Sequence, residues 1–272
     1  MFFSRSKKEC IFCDSTSLTN EHIYPKWLFQ TIKLDTQTFK PSNFDTIIAS
    51  TDFSSTLLKS EQFSDGREIR YDDFKIKKIC GTCNNGWMSQ LENLVKPIIE
   101  KLYNKDMCDI NSDEAYNLSL WAIIKIIIIG YAVEAKYGFD LFIREMLKKN
   151  IIPEGFIVEF RKMDSHILSY HTGNISHPMI TRIEREQIEL ALENFFAGAL
   201  QIGKIGLRIT YLKTSIPVQR TQINERLMLL YPYNGKLPVI YVDADENPTA
   251  DLKDTEIPAL CNSITLCDKL YS

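Results

Sequence analysis

A chain of 272 residues and 31.5 kDa, 44% hydrophobic and 25% charged, has the composition of an ordinary soluble globular protein and can bury one large core or two modest ones. Its net charge of −3 and pI near 5.9 exclude polyanion binding by bulk charge, so any nucleic-acid contact needs a local basic face. The N-terminus, Met1 to Lys8, has no apolar stretch of signal-peptide length, so secretion is not expected and a reducing cytoplasm is.

In chain order, Phe2 to Cys13 reads as a strand or loop leading into a first cysteine pair, Cys10 and Cys13. Thr19 suits a helix N-cap or a strand end, and Pro25 to Phe29 reads as a short amphipathic helix with Trp27 and Leu28 inward. Residues 34–66 are rich in Ser, Thr and Asp and read as an irregular insertion with two strands. Phe74, Ile76 and Ile79 alternate with Lys75, Lys77 and Lys78, as in a strand that delivers a second pair, Cys80 and Cys83. Trp87 to Tyr103 has helical spacing, with Pro97 expected to bend or divide it.

Asp113 and Glu114 suit the first turn of a long helix that carries the run from Leu118 to Val133. That apolar run falls short of the roughly 20 residues of a membrane span and has Lys125 at its centre, so it reads as a buried core helix. A second helix spans Phe139 to Lys149. Beyond Pro153 the pattern changes to strands at Phe156–Phe160, His166–Tyr170, Gly206–Leu212, Arg226–Tyr231 and Leu237–Val242. The period over 184–201 fits a helix or a strand pair equally. The fold class is therefore α+β, with an N-terminal metal module over 1–104, including the insertion 34–66, and an α+β region of recognition or assembly over 105–272.

Two Cys-x-x-Cys pairs are the strongest chemical signal. Two intervening residues let both sulfurs of a turn reach one ion, so Cys10, Cys13, Cys80 and Cys83 can close a tetrahedral structural Zn²⁺ site. In a chain without an export signal, such pairs favour metal over disulfides. Cys108, Cys261 and Cys267 are scattered and read as structural thiols. Glu21 and His22 follow the first pair, and Asn84 directly follows the last cysteine. An imidazole can activate water at neutral pH, while a carboxylate and an amide oxygen are hard ligands for a divalent ion.

Taken together, Cys-x-x-Cys, then Thr19-x-Glu21-His22-Ile23-x-Pro25, then Cys-x-x-Cys-Asn84 resembles the zinc-stabilised branch of the HNH (ββα-metal) endonucleases. The resemblance covers residues 10–22 and 74–92. It implies an N-terminal ββα-metal module and a hydrolase that cuts phosphodiester bonds. It also implies His22 as general base, Glu21 and Asn84 as ligands of a catalytic Mg²⁺, Mn²⁺ or similar divalent ion, and the four cysteines as structural zinc ligands. The family's middle Asn, which orients the catalytic His, is absent, and Asp73 stands in that neighbourhood.

DNA is the expected partner, with RNA open as a second substrate, oligomerisation open and no membrane. Arg67, Arg70, Lys75, Lys77 and Lys78 form a basic stripe that would contact phosphates, diluted by Glu68, Asp72 and Asp73. Glu92 could supply a further acid one or two turns into the helix but reads rather as part of a solvated helix face, and His166, His171 and His177 form no tight metal motif. The rival expectation is a catalytically inactive HNH-like zinc module that binds nucleic acid or protein as an adaptor. A redox role for the Cys-x-x-Cys pairs is weaker, for want of a βαβ context.

Overall fold

The computed structural model describes residues 9–32, 38–39, 42–47, 59–64, 68–105, 107–133, 139–163, 168–173, 195–212, 218–220, 228–231, 239–241 and 264–266. Expectations that fall on Arg67, His166, His177, Cys261, Cys267 and residues 184–194 lie outside the described residues.

The chain leaves the first cysteine pair through β1 (Leu18–His22) and the short helix α1 (Lys26–Thr31), which buries Leu28. Within the polar insertion lie β2 (Thr38–Phe39), β3 (Ser42–Ile47) and β4 (Lys59–Ser64). β3 and β4 form an antiparallel pair, and β5 (Ile69–Arg70) pairs with β2. β6 (Lys75–Cys80) then returns antiparallel to β1. A single helical turn, α2 (Gly81–Cys83), carries the second cysteine pair onward.

The next helix begins later than its spacing implies. Gly86 leaves helical geometry (φ −94°, ψ −114°), so Trp87 and Met88 belong to a kinked turn and α3 runs Ser89–Asn104. Pro97 does not divide it. Pro97 and Asn93 are both exposed, so the Asn93 carbonyl left without an amide partner can be taken by water.

After β7 (Met107–Asp109), α4 (Ser112–Ala132) opens with a reciprocal cap. The Asn111 side chain accepts from the Glu114 N–H at 2.9 Å, and Glu114 accepts from the Asn111 N–H at 3.0 Å. From Leu118 to Gly130 every residue of α4 is buried, polar Ser119 and Lys125 included. By length and composition α4 could cross a membrane, but most of it is enclosed by the rest of the protein. α5 (Leu141–Lys148) follows, capped by Asp140.

The second half is mainly antiparallel sheet. The strands are β8 (Phe156–Lys162), β9 (Leu168–Gly173), β10 (Phe195–Ile202), β11 (Ile205–Leu212), β12 (Val218–Arg220), β13 (Met228–Tyr231), β14 (Val239–Tyr241) and β15 (Ile264–Leu266). A five-stranded sheet has the order β13-β8-β11-β10-β9, while β12 pairs with β15 and β14 with β7. Strand β10 decides the second half of the ambiguous stretch 184–201. Gly203 (φ 55°) supplies the left-handed residue of the tight turn between β10 and β11.

α4 lies against α3, β6 and the five-stranded sheet, so it is covered on every side. This explains why its apolar residues show no single face. One hydrophobic core runs from Cys10 through α4 to Leu230, and the packing is continuous across residue 104.

Candidate active site beside a four-cysteine cluster

Cys10 and Cys13 lie on a turn closed by the Cys13 N–H donating to the Cys10 carbonyl at 3.3 Å. Cys80 ends β6 and Cys83 ends α2. The four sulfurs fall within 4.8 Å of one another. Cys13 Sγ is 3.6 Å from Cys80 Sγ and 3.7 Å from Cys83 Sγ, across sequence separations of 67 and 70 residues. Tetrahedral ZnS₄ with bonds of about 2.3 Å needs sulfur–sulfur distances on the order of 3.8 Å, so the donor set fits zinc.

Burial pushes the Cys10 and Cys83 thiols up, while backbone amides favour the thiolate at Cys10 and Cys80. The Cys80 N–H donates to Cys10 Sγ at 3.3 Å, and the Cys83 N–H donates to Cys80 Sγ at 3.4 Å. Burial opposes ionisation of the Cys80 thiol, yet the Cys83 N–H and the three neighbouring sulfurs bring it down to about 7. Phe12, fully buried between the first two cysteines, meets Trp87 edge-to-face at 5.2 Å and so packs the two halves of the cluster together.

The same closure sets the register of β1 against β6. Thr19 faces Ile79 while Glu21 faces Ile76, so β6 carries one extra residue. That bulge accounts for two consecutive exposed lysines, Lys77 and Lys78, in an otherwise alternating strand. The Lys78 carbonyl accepts the Ile11 N–H at 2.8 Å, and Thr19 Oγ1 donates to the Ile79 carbonyl at 3.0 Å. The bulge thus ties the first cysteine turn to the second strand.

Past the bulge, β1 presents Glu21 and His22. Burial pushes the His22 imidazole below its ordinary pKa, and the ammonium groups of Lys75 and Lys26 act in the same sense. The ring is therefore neutral near pH 7. Its Nε2 is buried and has no hydrogen-bond partner among the described residues. Asp73 is exposed and paired to Lys75 at 3.2 Å, so its carboxylate acts on His22 by charge, in the opposite sense to the lysines.

Glu21 is 8% exposed and points into a polar cluster inside the core. The Asn84 side chain lies beside its carboxylate and favours the charged form. Sequence reasoning did not pair the other two members, Lys125 and Glu92, with this site. Lys125, from the middle of α4, sets Nζ 3.4 Å from Glu21 Oε1 and 2.9 Å from Glu92 Oε1. The Lys125 side chain is only 2% exposed, and the Trp121 ring lies 6.0 Å away, one turn earlier.

Burial works against the Lys125 charge, but the carboxylates of Glu92 and Glu21 more than offset it, and its pKa is raised. Burial also pushes the Glu21 carboxyl up, with Glu92 adding to the rise and Lys125 and Asn84 opposing it. Glu92, expected on a solvated face, instead lies half-buried against the lysine. A lone charge in an isoleucine-rich run was the available signal, because a buried ammonium requires a counter-ion.

Glu21 and Asn84 do come together, as metal ligands would. In the described arrangement they do not fit a divalent ion. The Lys125 ammonium already lies against Glu21, at 3.4 Å. A divalent ion about 4 Å from the ammonium would also meet a repulsion of about 8 kcal/mol at an effective dielectric of about 20.

Within the basic stripe, Arg70 is exposed and binds Asp72 through two contacts of 2.9 and 2.7 Å, and Lys75 holds Asp73. Such exposed pairs contribute at most about 1 kcal/mol each. Lys77 and Lys78 are exposed on the strand leading to Cys80. His171 lies in β9, on the sheet rather than in the cysteine cluster. No family model, curated protein or solved structure matches this chain.

Proposed function

We propose that this chain is a zinc-stapled endonuclease of the HNH type that hydrolyses phosphodiester bonds in DNA, with His22 as general base. The observation that carries the reading is the convergence of Glu21 and Asn84, from separate segments, next to a neutral His22 and beside four clustered thiols. Two antiparallel strands followed by a helix, with cysteines at the ends of the pair, are in the order that the HNH likeness implies.

His22 takes a proton from water. The oxygen so activated forms a bond to phosphorus as the bond to the 3′-oxygen breaks, and that leaving oxygen takes a proton from solvent. Lys77 and Lys78 meet the flanking phosphates. The zinc acts as a cross-link that fixes β1 against β6. The likeness also implies a Mg²⁺ or Mn²⁺ ion on Glu21 and Asn84, but the adjoining Lys125 ammonium does not suit one, and no step is routed through it.

The rival reading, an inactive zinc module serving as an adaptor, draws on the same buried and neutralised Glu21. Relaxation of supercoiled plasmid separates the two, with His22→Ala run beside the wild type and zinc measured in both. The nuclease reading requires cleavage that falls by about 100-fold or more in His22→Ala at unchanged zinc content. Equal rates for both proteins, or no cleavage by either in any of Mg²⁺, Mn²⁺ or metal-free buffer, would contradict it and favour the adaptor.

A further inference from the structure

We propose that Lys125 is the resident cation of the Glu21–Glu92 site: its ammonium stands where a divalent ion would bind, so the folded chain holds zinc at its cysteines and no divalent ion at this site. The inference rests on reading Glu21 and Asn84 as the centre of a nuclease-like site and states which cation that centre uses.

The geometry argues for a dedicated arrangement. Lys125 is the sole charged residue between Leu118 and Val133, on a helix whose neighbouring positions are all apolar and buried. Burying an ammonium there is tolerable only with partners supplied from elsewhere. Those partners come from two other elements, Glu21 from β1 at 3.4 Å and Glu92 from α3 at 2.9 Å. Both carboxylates are themselves largely covered, with side-chain exposures of 11% and 19%. The Asn84 side chain completes the set beside Glu21.

One ammonium against two carboxylates leaves a residual negative charge in a site with little room for water. Without the ammonium, the same two carboxylates and the amide oxygen of Asn84 are three hard ligands on one spot, the donor set that Mn²⁺ and Mg²⁺ prefer. Lys125 is thus what separates a divalent-binding site from the present one.

Mn²⁺ titration followed by electron paramagnetic resonance tests this, using zinc-loaded protein and three forms: wild type, Glu21→Gln and Lys125→Met. Wild type should bind no more Mn²⁺ than Glu21→Gln. Lys125→Met, which keeps the side-chain length and drops the charge, should gain one Mn²⁺ per chain, at least about 100-fold tighter than wild type. That gain should vanish in Lys125→Met/Glu21→Gln.

A Glu21-dependent Mn²⁺ site in the wild type would overturn the proposal, as would a folded Lys125→Met that gains none. The wild-type titration decides alone if Lys125→Met does not fold. DNA cleavage plays no part in this readout. An inactive protein that excludes Mn²⁺ would lose the nuclease reading and keep the cation assignment. Wild-type Mn²⁺ binding with His22-dependent cleavage would do the reverse.

Discussion

His22 and Lys125 both lose water on folding, and the outcome differs because only one of them has counter-charges. Burial and two nearby lysines hold His22 below its ordinary value, so its basic form predominates at neutral pH. Cleavage should be level above about pH 6.5 and fall as the pH drops through the depressed value. A pH–rate profile that rises instead between pH 7 and 9 would point to another base. The same depression makes the unfolded chain the better proton acceptor, so His22 lowers stability as the pH falls below about 6.5. Chemical denaturation at pH 5.5 and 7.5 should therefore show a smaller pH dependence for His22→Gln than for wild type.

For Lys125 the cost of removal is direct. Lys125→Met leaves two buried carboxylates facing each other and should lose about 3–5 kcal/mol in urea unfolding. A loss under about 1 kcal/mol would mean the ion pairs are dispensable. At this scale the sequence was legible where spacing carries the chemistry. The cysteine pairs, which the fold brings together, are readable from their spacing, whereas Glu92 looks like any acidic residue on an amphipathic helix. Its partner arrives from α4, and no local pattern in α3 announces it.

At the scale of elements, α4 is specified at both levels that matter. Its first turn carries the Asn111–Glu114 cap, and its body is apolar on every side because helix, strand pair and sheet enclose it. Asn111→Ala should cost about 1 kcal/mol of stability, measured by thermal or urea unfolding. The approach of the sheet is close. A Cβ on Gly198 of β10 would meet Ile126 Cγ1 at 2.6 Å and the Phe196 ring at 2.9 Å.

Gly198→Ala should therefore cost about 1–3 kcal/mol, although alanine is otherwise the better strand residue. No change, or a gain, would mean that α4 and β10 can move apart. The cap, the alternating strands and the long core helix could all be read from local pattern. The start of α3 could not, because Gly86 breaks a sequence whose apolar spacing is helical through Trp87. The β6 bulge was half visible, since Lys77 and Lys78 interrupt the alternation without saying which strand they face.

For the molecule as a whole, the two cysteine pairs join segments that the chain separates by about a quarter of its length, at one end of the β1–β6 pairing. The register that sets Glu21 toward Lys125 and His22 toward Lys75 depends on that junction. Continuous packing from the cysteine cluster through α4 to the sheet means that loss of the cross-link should be felt far from it. Cys83→Ser should lower the melting temperature of the whole chain and reduce any cleavage along with it, and a strong chelator should do the same to the wild type. The α+β content and the four-thiol cluster follow from pattern and spacing. The path of α4 between the cysteine module and the sheet does not, because it is fixed by contacts with elements far from it in sequence.

Elemental analysis of protein purified without added metal tests most directly whether one structural ion holds this arrangement together. One zinc per chain, lost in Cys83→Ser and retained in His22→Ala, is the expected result. Folded wild-type protein with no zinc and four freely titrating thiols would contradict it.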